Sequence, residues 1–137
     1  MNKKLRCVFY ARTGSVLSPC DSQIKMCKKF LSKHNEYELV DSYIDCGCSG
    51  KDENRKGYLN MLSRLNQGDI DVLLVQDFHR LSRSITLNTK IYRHLNGNNV
   101  KVLVLDGERT LDLPNLEKFN MLLLPFDLES EEHSYGR

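Results

Sequence analysis

The sequence predicts an α/β protein with a central, mostly parallel sheet of four or five strands flanked by helices. Short runs rich in valine, isoleucine and leucine alternate along the chain with stretches whose apolar residues recur at helical spacing. The run Val72–Val75 is continuously apolar and lies between polar and charged residues. Such a run is typical of a strand that is covered by helices on both faces.

The elements of the first half follow from these patterns. Leu5–Ala11 is rich in β-forming residues and predicts the first strand, and a helix is expected from about Pro19 to His34. Tyr37–Ile44 predicts the second strand. The polar, glycine-containing stretch Asp45–Asn54 shows no hydrophobic periodicity and is expected to be a loop.

The second half repeats the alternation of helix and strand. We expect a helix with an apolar face over Tyr58–Leu65, a strand at Ile70–Val75, a helix at Thr86–Leu95 and a strand at Val100–Leu105. A further helix over Leu116–Leu124 and a frayed acidic end complete the chain. These elements predict one domain spanning 1–137, with a core of about 5–106 and a C-terminal helix and acidic tail at 115–137.

Length and composition indicate an ordinary globular protein. The chain has 137 residues, which is enough for one self-sufficient core. No stretch approaches the roughly 18 continuous apolar residues that a membrane span requires. The basic start of the chain is not followed by an apolar run long enough for a signal peptide. A cytoplasmic location is therefore expected.

Charge and cysteine content restrict the possible partners. The formal net charge is +2, which argues against holding nucleic acid by bulk electrostatics, so any DNA contact should be local or shared with another chain. The odd number of cysteines predicts free thiols; they are Cys7, Cys20, Cys27, Cys46 and Cys48. Because no second pair of ligands stands at zinc spacing from Cys46 and Cys48, a metal site is not expected.

Three polar segments follow strands and should meet at one edge of the sheet, where α/β proteins bind ligands. They are Arg12–Ser15, Asp45–Arg55 and Asp77–Arg83. Together they carry four arginines, namely Arg12, Arg55, Arg80 and Arg83. Planar guanidinium groups match the oxygens of a phosphate. The alternative is a set of surface arginines paired with nearby acids.

The polar groups of these segments favour phosphoryl chemistry over acyl transfer, because no histidine stands beside the turn hydroxyl of Ser15. Arginines aimed at a phosphodiester can neutralise its non-bridging oxygens without a metal. Simpler roles remain open for each candidate. Ser15 can bond its own turn, Asp45 can anchor a loop through backbone N–H groups, and Gln23 can face solvent.

The ordered motifs resemble the catalytic domain of the serine recombinases, the resolvase and invertase family. They run from Tyr10-Ala11-Arg12 and Gln23 through Asp45-x-Gly47-x-Ser49-Gly50 and Arg55-Lys56-Gly57 to Gly68-Asp69-x-Asp71-Val72 and Arg80-Leu81-x-Arg83. The resemblance covers about residues 5–106. It implies a resolvase-like fold, a serine that cleaves DNA by forming a phosphoserine bond, arginines that hold the scissile phosphate, no cofactor, and strand exchange in a tetramer built from two dimers.

Three positions depart from the family pattern. Gly14 occupies the position at which the family has its catalytic serine, and Ser15 is the next residue. His79 stands immediately before Arg80, where the family usually has an aspartate, although Asp77 matches the pattern of a subset of large recombinases. Ser130 stands where an arginine commonly follows Glu at the head of a long helix, and no DNA-binding domain is expected within this chain.

Two functions are carried forward from the resemblance. The first is a site-specific serine recombinase domain, impaired at its nucleophile, with Ser15, Arg12, Gln23, Asp45, Arg55, Asp77, Arg80 and Arg83 as its catalytic set. The second is a catalytically inactive relative that associates with, or regulates, a full-length recombinase. The expected partners are DNA and a homodimer or higher oligomer. A small nucleotide-binding domain is a third possibility, disfavoured because no Gly-rich strand-to-helix loop is present.

Overall fold

A computed structural model of the chain describes residues 3–14, 20–47, 55–81 and 85–111. The strands in these ranges are β1 (Leu5–Thr13), β2 (Tyr37–Cys46), β3 (Val72–Val75), β4 (Lys101–Val104) and β5 (Arg109–Leu111). The helices are α1 (Asp21–Lys33), α2 (Lys56–Leu65), α3 (Phe78–Leu81) and α4 (Ile85–Gly97). The expected helix at 116–124 and the acidic tail lie outside the described residues.

The strands form one sheet in the order β2-β1-β3-β4-β5. β1 pairs in parallel with both β2 and β3, and β3 pairs in parallel with β4, whereas β5 runs antiparallel to β4. The predicted mostly parallel α/β sheet is therefore confirmed. β5 has no separate signal in the sequence, because it is only three residues long and follows a tight turn in which Gly107 and Glu108 have positive φ.

The sheet separates two hydrophobic cores. Val8 and Tyr10 of β1 point to one face, where they pack with residues of α2 and α4, while Cys7, Phe9 and Ala11 point to the other face and pack with α1. The alternation follows from the period of two along a strand. All four residues of β3 are buried, as expected for a strand covered on both faces.

Both strands that lead to the candidate site are longer than their sequence patterns suggested. β1 continues through Arg12 to Thr13, and β2 continues through Asp45 to Cys46. The last pairs of the ladder are Arg12 with Asp45 and Thr13 with Cys46. Backbone pairing thus extends the strands past their apolar residues and places Arg12 beside Asp45.

The longest helices described, α1 and α4, each contain 13 residues. Within the described part of the chain, no helix combines the length and the apolar character needed to cross a membrane.

Candidate active site

The carboxyl end of β1 is joined to α3, the short helix that follows β3, by a reciprocal contact between two arginines. Arg12 Nε donates a hydrogen bond of 3.0 Å to the carbonyl oxygen of Arg80, and Arg80 Nη1 donates one of 3.2 Å to the carbonyl oxygen of Arg12. Asp45 lies beside Arg12 in the β1–β2 ladder. The structure therefore brings together a described residue from each of the three segments that the sequence predicted to meet.

Asp45 is buried, and its carboxylate points toward the start of α2. Oδ1 accepts a 2.8 Å hydrogen bond from the backbone N–H of Gly57, and Oδ2 accepts 2.8 Å bonds from the N–H of Tyr58 and from the hydroxyl of Tyr10. Unpaired N–H groups at a helix start favour an anionic acceptor. The geometry therefore favours the anchoring role that the sequence left open for Asp45.

Gly57 is required by this arrangement. A Cβ atom at Gly57 would lie 2.9 Å from Oδ1 of Asp45 and 3.0 Å from its Oδ2. These separations are too short for a side chain, so glycine allows the carboxylate to approach the helix start.

Arg55, immediately before α2, is almost fully buried, with 1% of its surface exposed. Its guanidinium donates to the Tyr10 hydroxyl at 2.8 Å and to the carbonyl oxygens of Leu81 and Arg80 at 2.7 and 3.3 Å. The guanidinium carbon also lies 4.2 Å from the ring centroid of Tyr58. Arg55 thus connects α2 to the carbonyl groups at the end of α3.

Tyr10 links Asp45 to Arg55, because its hydroxyl donates to the carboxylate and accepts from the guanidinium. Burial, partly offset by Arg55, raises the pKa of Tyr10 far above its usual value. The hydroxyl therefore stays protonated at neutral pH and keeps its donor role. Tyr10 belongs to a motif quoted above, but its link to Asp45 and Arg55 was not predicted; the one signal in the sequence was a tyrosine two residues, one strand period, before Arg12.

Gln23 is buried, with 1% of its surface exposed, so the interpretation that it faces solvent was wrong. Its Oε1 accepts a 3.2 Å bond from the N–H of Arg12, and its Nε2 donates a 2.9 Å bond to the carbonyl oxygen of the same residue. β3 pairs with β1 only as far as Tyr10. The Gln23 amide therefore bonds the peptide groups of β1 beyond the end of that ladder, which fixes the position of Arg12.

Arg80 is the most exposed of the three described site arginines. Its side chain is 30% exposed, whereas Arg12 is 4% exposed and Arg55 less. Its Nε donates to Oε1 of Gln76 at 3.1 Å and lies 3.7 Å from Oδ2 of Asp77. Arg80 is thus held by neighbouring residues while part of its side chain stays exposed to solvent.

Ser15, Arg83 and Ser130 lie outside the described residues, as does the side chain of His79. Gly14, immediately before Ser15, is exposed at the end of β1. No heavy atom of the described residues would lie within 4 Å of a Cβ atom at Gly14, so these residues leave room for a side chain at this position. Among the described residues, no three of His, Cys, Asp and Glu come together to hold a metal ion.

A family model described as "Resolvase, N terminal domain" matches residues 7–128 of the chain. A search of curated proteins found no match.

Solved structures also resemble the chain. The C-terminal catalytic domain of ISC1926 TnpA, an IS607-like serine recombinase, is 26% identical with a TM-score of 0.66 and aligns over 74% of this chain and 70% of its own. The N-terminal catalytic domain of TP901-1 integrase is 21% identical with a TM-score of 0.70, over 93% and 97%. A resolvase family site-specific recombinase from Streptococcus pneumoniae is 20% identical with a TM-score of 0.71, over 97% and 93%.

Proposed function

Because the chain belongs to the resolvase family and has the fold of a serine recombinase catalytic domain, we propose that it cleaves and rejoins DNA through a phosphoserine intermediate formed on Ser15. The observation that carries this proposal is the reciprocal contact of Arg12 and Arg80. It joins the carboxyl end of β1 to α3, and Arg12 stands two residues before Gly14 and three before Ser15.

The chemistry is an exchange of phosphoesters. The Ser15 oxygen attacks a DNA phosphorus, the serine gives up its proton, and the bond from phosphorus to a deoxyribose oxygen breaks. One ester bond replaces another, so the reverse attack by a deoxyribose hydroxyl rejoins the strand with no cofactor or external energy source. Guanidinium groups stabilise the charge that grows on the phosphate oxygens.

The described residues divide between contact and positioning in this proposal. Arg80 contacts the phosphate, because its side chain is the most exposed of the three described site arginines. Gln23 and Asp45 position Arg12 and Arg55 through buried hydrogen bonds. Ser15 and Arg83 complete the set of groups that act on the phosphate, and Asp77 orients Arg80.

Strand exchange requires two DNA duplexes, so the active form is an oligomer of this chain. The family resemblance implies that this oligomer is a tetramer built from two dimers. The modest net charge of +2 means that DNA is held in part by other chains or domains. Action on DNA makes the cytoplasm the expected compartment.

A second function is favoured by one specific feature. Gly14 stands where the family resemblance expects the serine, while Arg12 and Arg55 are buried among backbone carbonyls. A chain whose nucleophile is absent would act by associating with a full-length recombinase rather than by cutting DNA.

Covalent capture of DNA separates the two functions. The chain is incubated with supercoiled plasmids that carry paired fragments of its source genome, and denatured samples are examined for protein linked to DNA. Adducts that disappear in Ser15→Ala and persist in the control Ser22→Ala, an exposed serine of α1, support the first function. An adduct formed by Gly14→Ser but not by the unaltered chain supports the second.

A further inference from the structure

Two thiols from distant parts of the sequence meet beside the candidate active site. Cys46 Sγ, at the end of β2, lies 3.2 Å from Cys20 Sγ, at the residue before α1. Neither cysteine forms a disulfide, and Cys20 is buried whereas Cys46 is exposed to solvent. A disulfide needs its sulfur atoms about 2.05 Å apart, so a displacement of roughly 1.2 Å would join them.

We propose that Cys20 and Cys46 are a redox modification site, which a peroxide converts into a reversible disulfide. The inference goes beyond the proposed function and does not depend on it. The exposed Cys46 is the sulfur that an oxidant reaches first, and the buried Cys20 is the resolving thiol at its side.

The reaction is balanced with hydrogen peroxide as the oxidant. Peroxide converts the Cys46 thiol to a sulfenic acid and releases one water. The Cys20 sulfur then attacks the Cys46 sulfur, the new S–S bond forms as the sulfenic oxygen leaves, and that oxygen takes the Cys20 proton to leave as a second water. Two thiols lose two electrons and two protons in total, and an added dithiol reverses the change by exchange.

The high pKa of Cys20 indicates that peroxide reacts first with Cys46 and that Cys20 attacks afterwards. Burial, together with the hydrogen bond to Cys46, raises the pKa of Cys20 to about 11. Cys20 therefore stays a thiol at neutral pH and reacts poorly with peroxide itself, since the thiolate is the reactive form. Its attack on an oxidised Cys46 should accelerate as the pH rises.

The crosslink would join two elements that border the candidate site. Thr13 already pairs with Cys46 in the β1–β2 ladder, so oxidation would tether both Thr13 and Cys20 to the same residue of β2. The two ends of the segment that carries Ser15 would then be fixed to one strand. A covalent link between residues 26 positions apart also restricts the unfolded chain, so the oxidised protein should melt at a higher temperature.

The test is oxidation of the reduced 137-residue chain with stoichiometric hydrogen peroxide. We expect the loss of two hydrogen atoms in the intact mass, a Cys20–Cys46 linked peptide after digestion without reductant, and a higher melting temperature that dithiothreitol reverses. Cys48→Ser, which removes the neighbouring thiol, should leave all three results unchanged, whereas Cys46→Ser and Cys20→Ser should abolish them.

Other outcomes would overturn the proposal. A linked peptide that contains Cys48 in place of either partner would assign the oxidation to another pair. Conversion of Cys46 to a sulfinic acid without any crosslink would show that Cys20 does not reach it. Iodoacetamide labelling of the reduced protein keeps the test valid if a variant is unstable, because Cys46 should be alkylated in the folded chain and protected after oxidation.

Discussion

The backbone N–H of Gly57 donates a 2.8 Å hydrogen bond to Oδ1 of Asp45, and a methyl group on Gly57 would lie 2.9 Å from that same oxygen. The carboxylate and the glycine therefore depend on each other. The Asp45 carboxylate can accept hydrogen bonds from the backbone N–H groups at the start of α2 only because Gly57 has no side chain to displace the carboxylate. This contact helps to set the position of Arg55, two residues before Gly57, whose guanidinium donates to the carbonyl oxygens at the end of α3.

Gly57→Ala should lower the free energy of unfolding. The added methyl group must displace the Asp45 carboxylate, and overpacking of this kind costs about 1–3 kcal/mol. Chemical denaturation measures the loss. Gly97→Ala is the matched control, because a Cβ atom at Gly97 would meet no heavy atom of the described part of the chain within 4 Å. Equal stability of Gly57→Ala and the unaltered chain would show that the carboxylate does not hold this position.

Tyr10→Phe tests the link between Asp45 and Arg55. The substitution keeps the ring but removes the hydroxyl that donates to Asp45 and accepts from Arg55. A buried polar group that loses its partner costs about 1–3 kcal/mol, so the free energy of unfolding should fall by that amount. Tyr37→Phe, a partly exposed tyrosine of β2, should change it little. A similar loss in both variants would contradict the specific role of the Tyr10 hydroxyl.

Gln23→Leu should destabilise the end of β1. A leucine fills a similar volume but offers neither the acceptor for the Arg12 N–H nor the donor for its carbonyl oxygen. The unpaired N–H should cost about 1–3 kcal/mol, and amide hydrogen exchange at Arg12 should become faster. Ser22→Ala, on the exposed side of α1, is the control. Unchanged exchange at Arg12 would mean that the peptide group finds another acceptor.

Alkaline pH should lower the stability of the folded, reduced protein. Burial raises the pKa of Cys7 to about 11 and that of Cys27 to about 12, from an ordinary value of 9.0. A pKa raised in the folded state gives stability that is complete below pH 9 and is lost as the pH rises toward 11–12. The melting temperature should fall across this interval, and less steeply in Cys27→Ala. A flat profile would contradict the burial of these thiols.

The fold was largely predictable because its signals are local. The apolar run Val72–Val75 and the helical spacing of the intervening stretches predicted the parallel sheet, and the rule that ligand sites lie at the carboxyl ends of strands predicted that Arg12, Asp45 and Arg80 would meet. β5 was missed because a three-residue strand carries almost no pattern.

The direction of each site side chain was not predictable from the sequence. Asp45 points toward α2, and Gln23 bonds the backbone of β1, because the nearest unpaired N–H and C=O groups in the folded chain lie there. Tertiary packing determines which backbone groups these side chains bond, so the spacing of residues in the sequence does not predict them. The Cys20–Cys46 pair escaped notice for the same reason, since the two thiols meet only when α1 docks on the sheet.

The central claim is that Ser15 becomes covalently attached to DNA, and mapping the attachment site tests it most directly. Adducts formed on supercoiled DNA are digested with nuclease and protease, and the nucleotide-bearing peptide is identified by mass spectrometry. The proposal predicts a phosphodiester on Ser15, absent in Ser15→Ala and present in Ser22→Ala. An adduct on any other residue, or one that persists in Ser15→Ala, would contradict it.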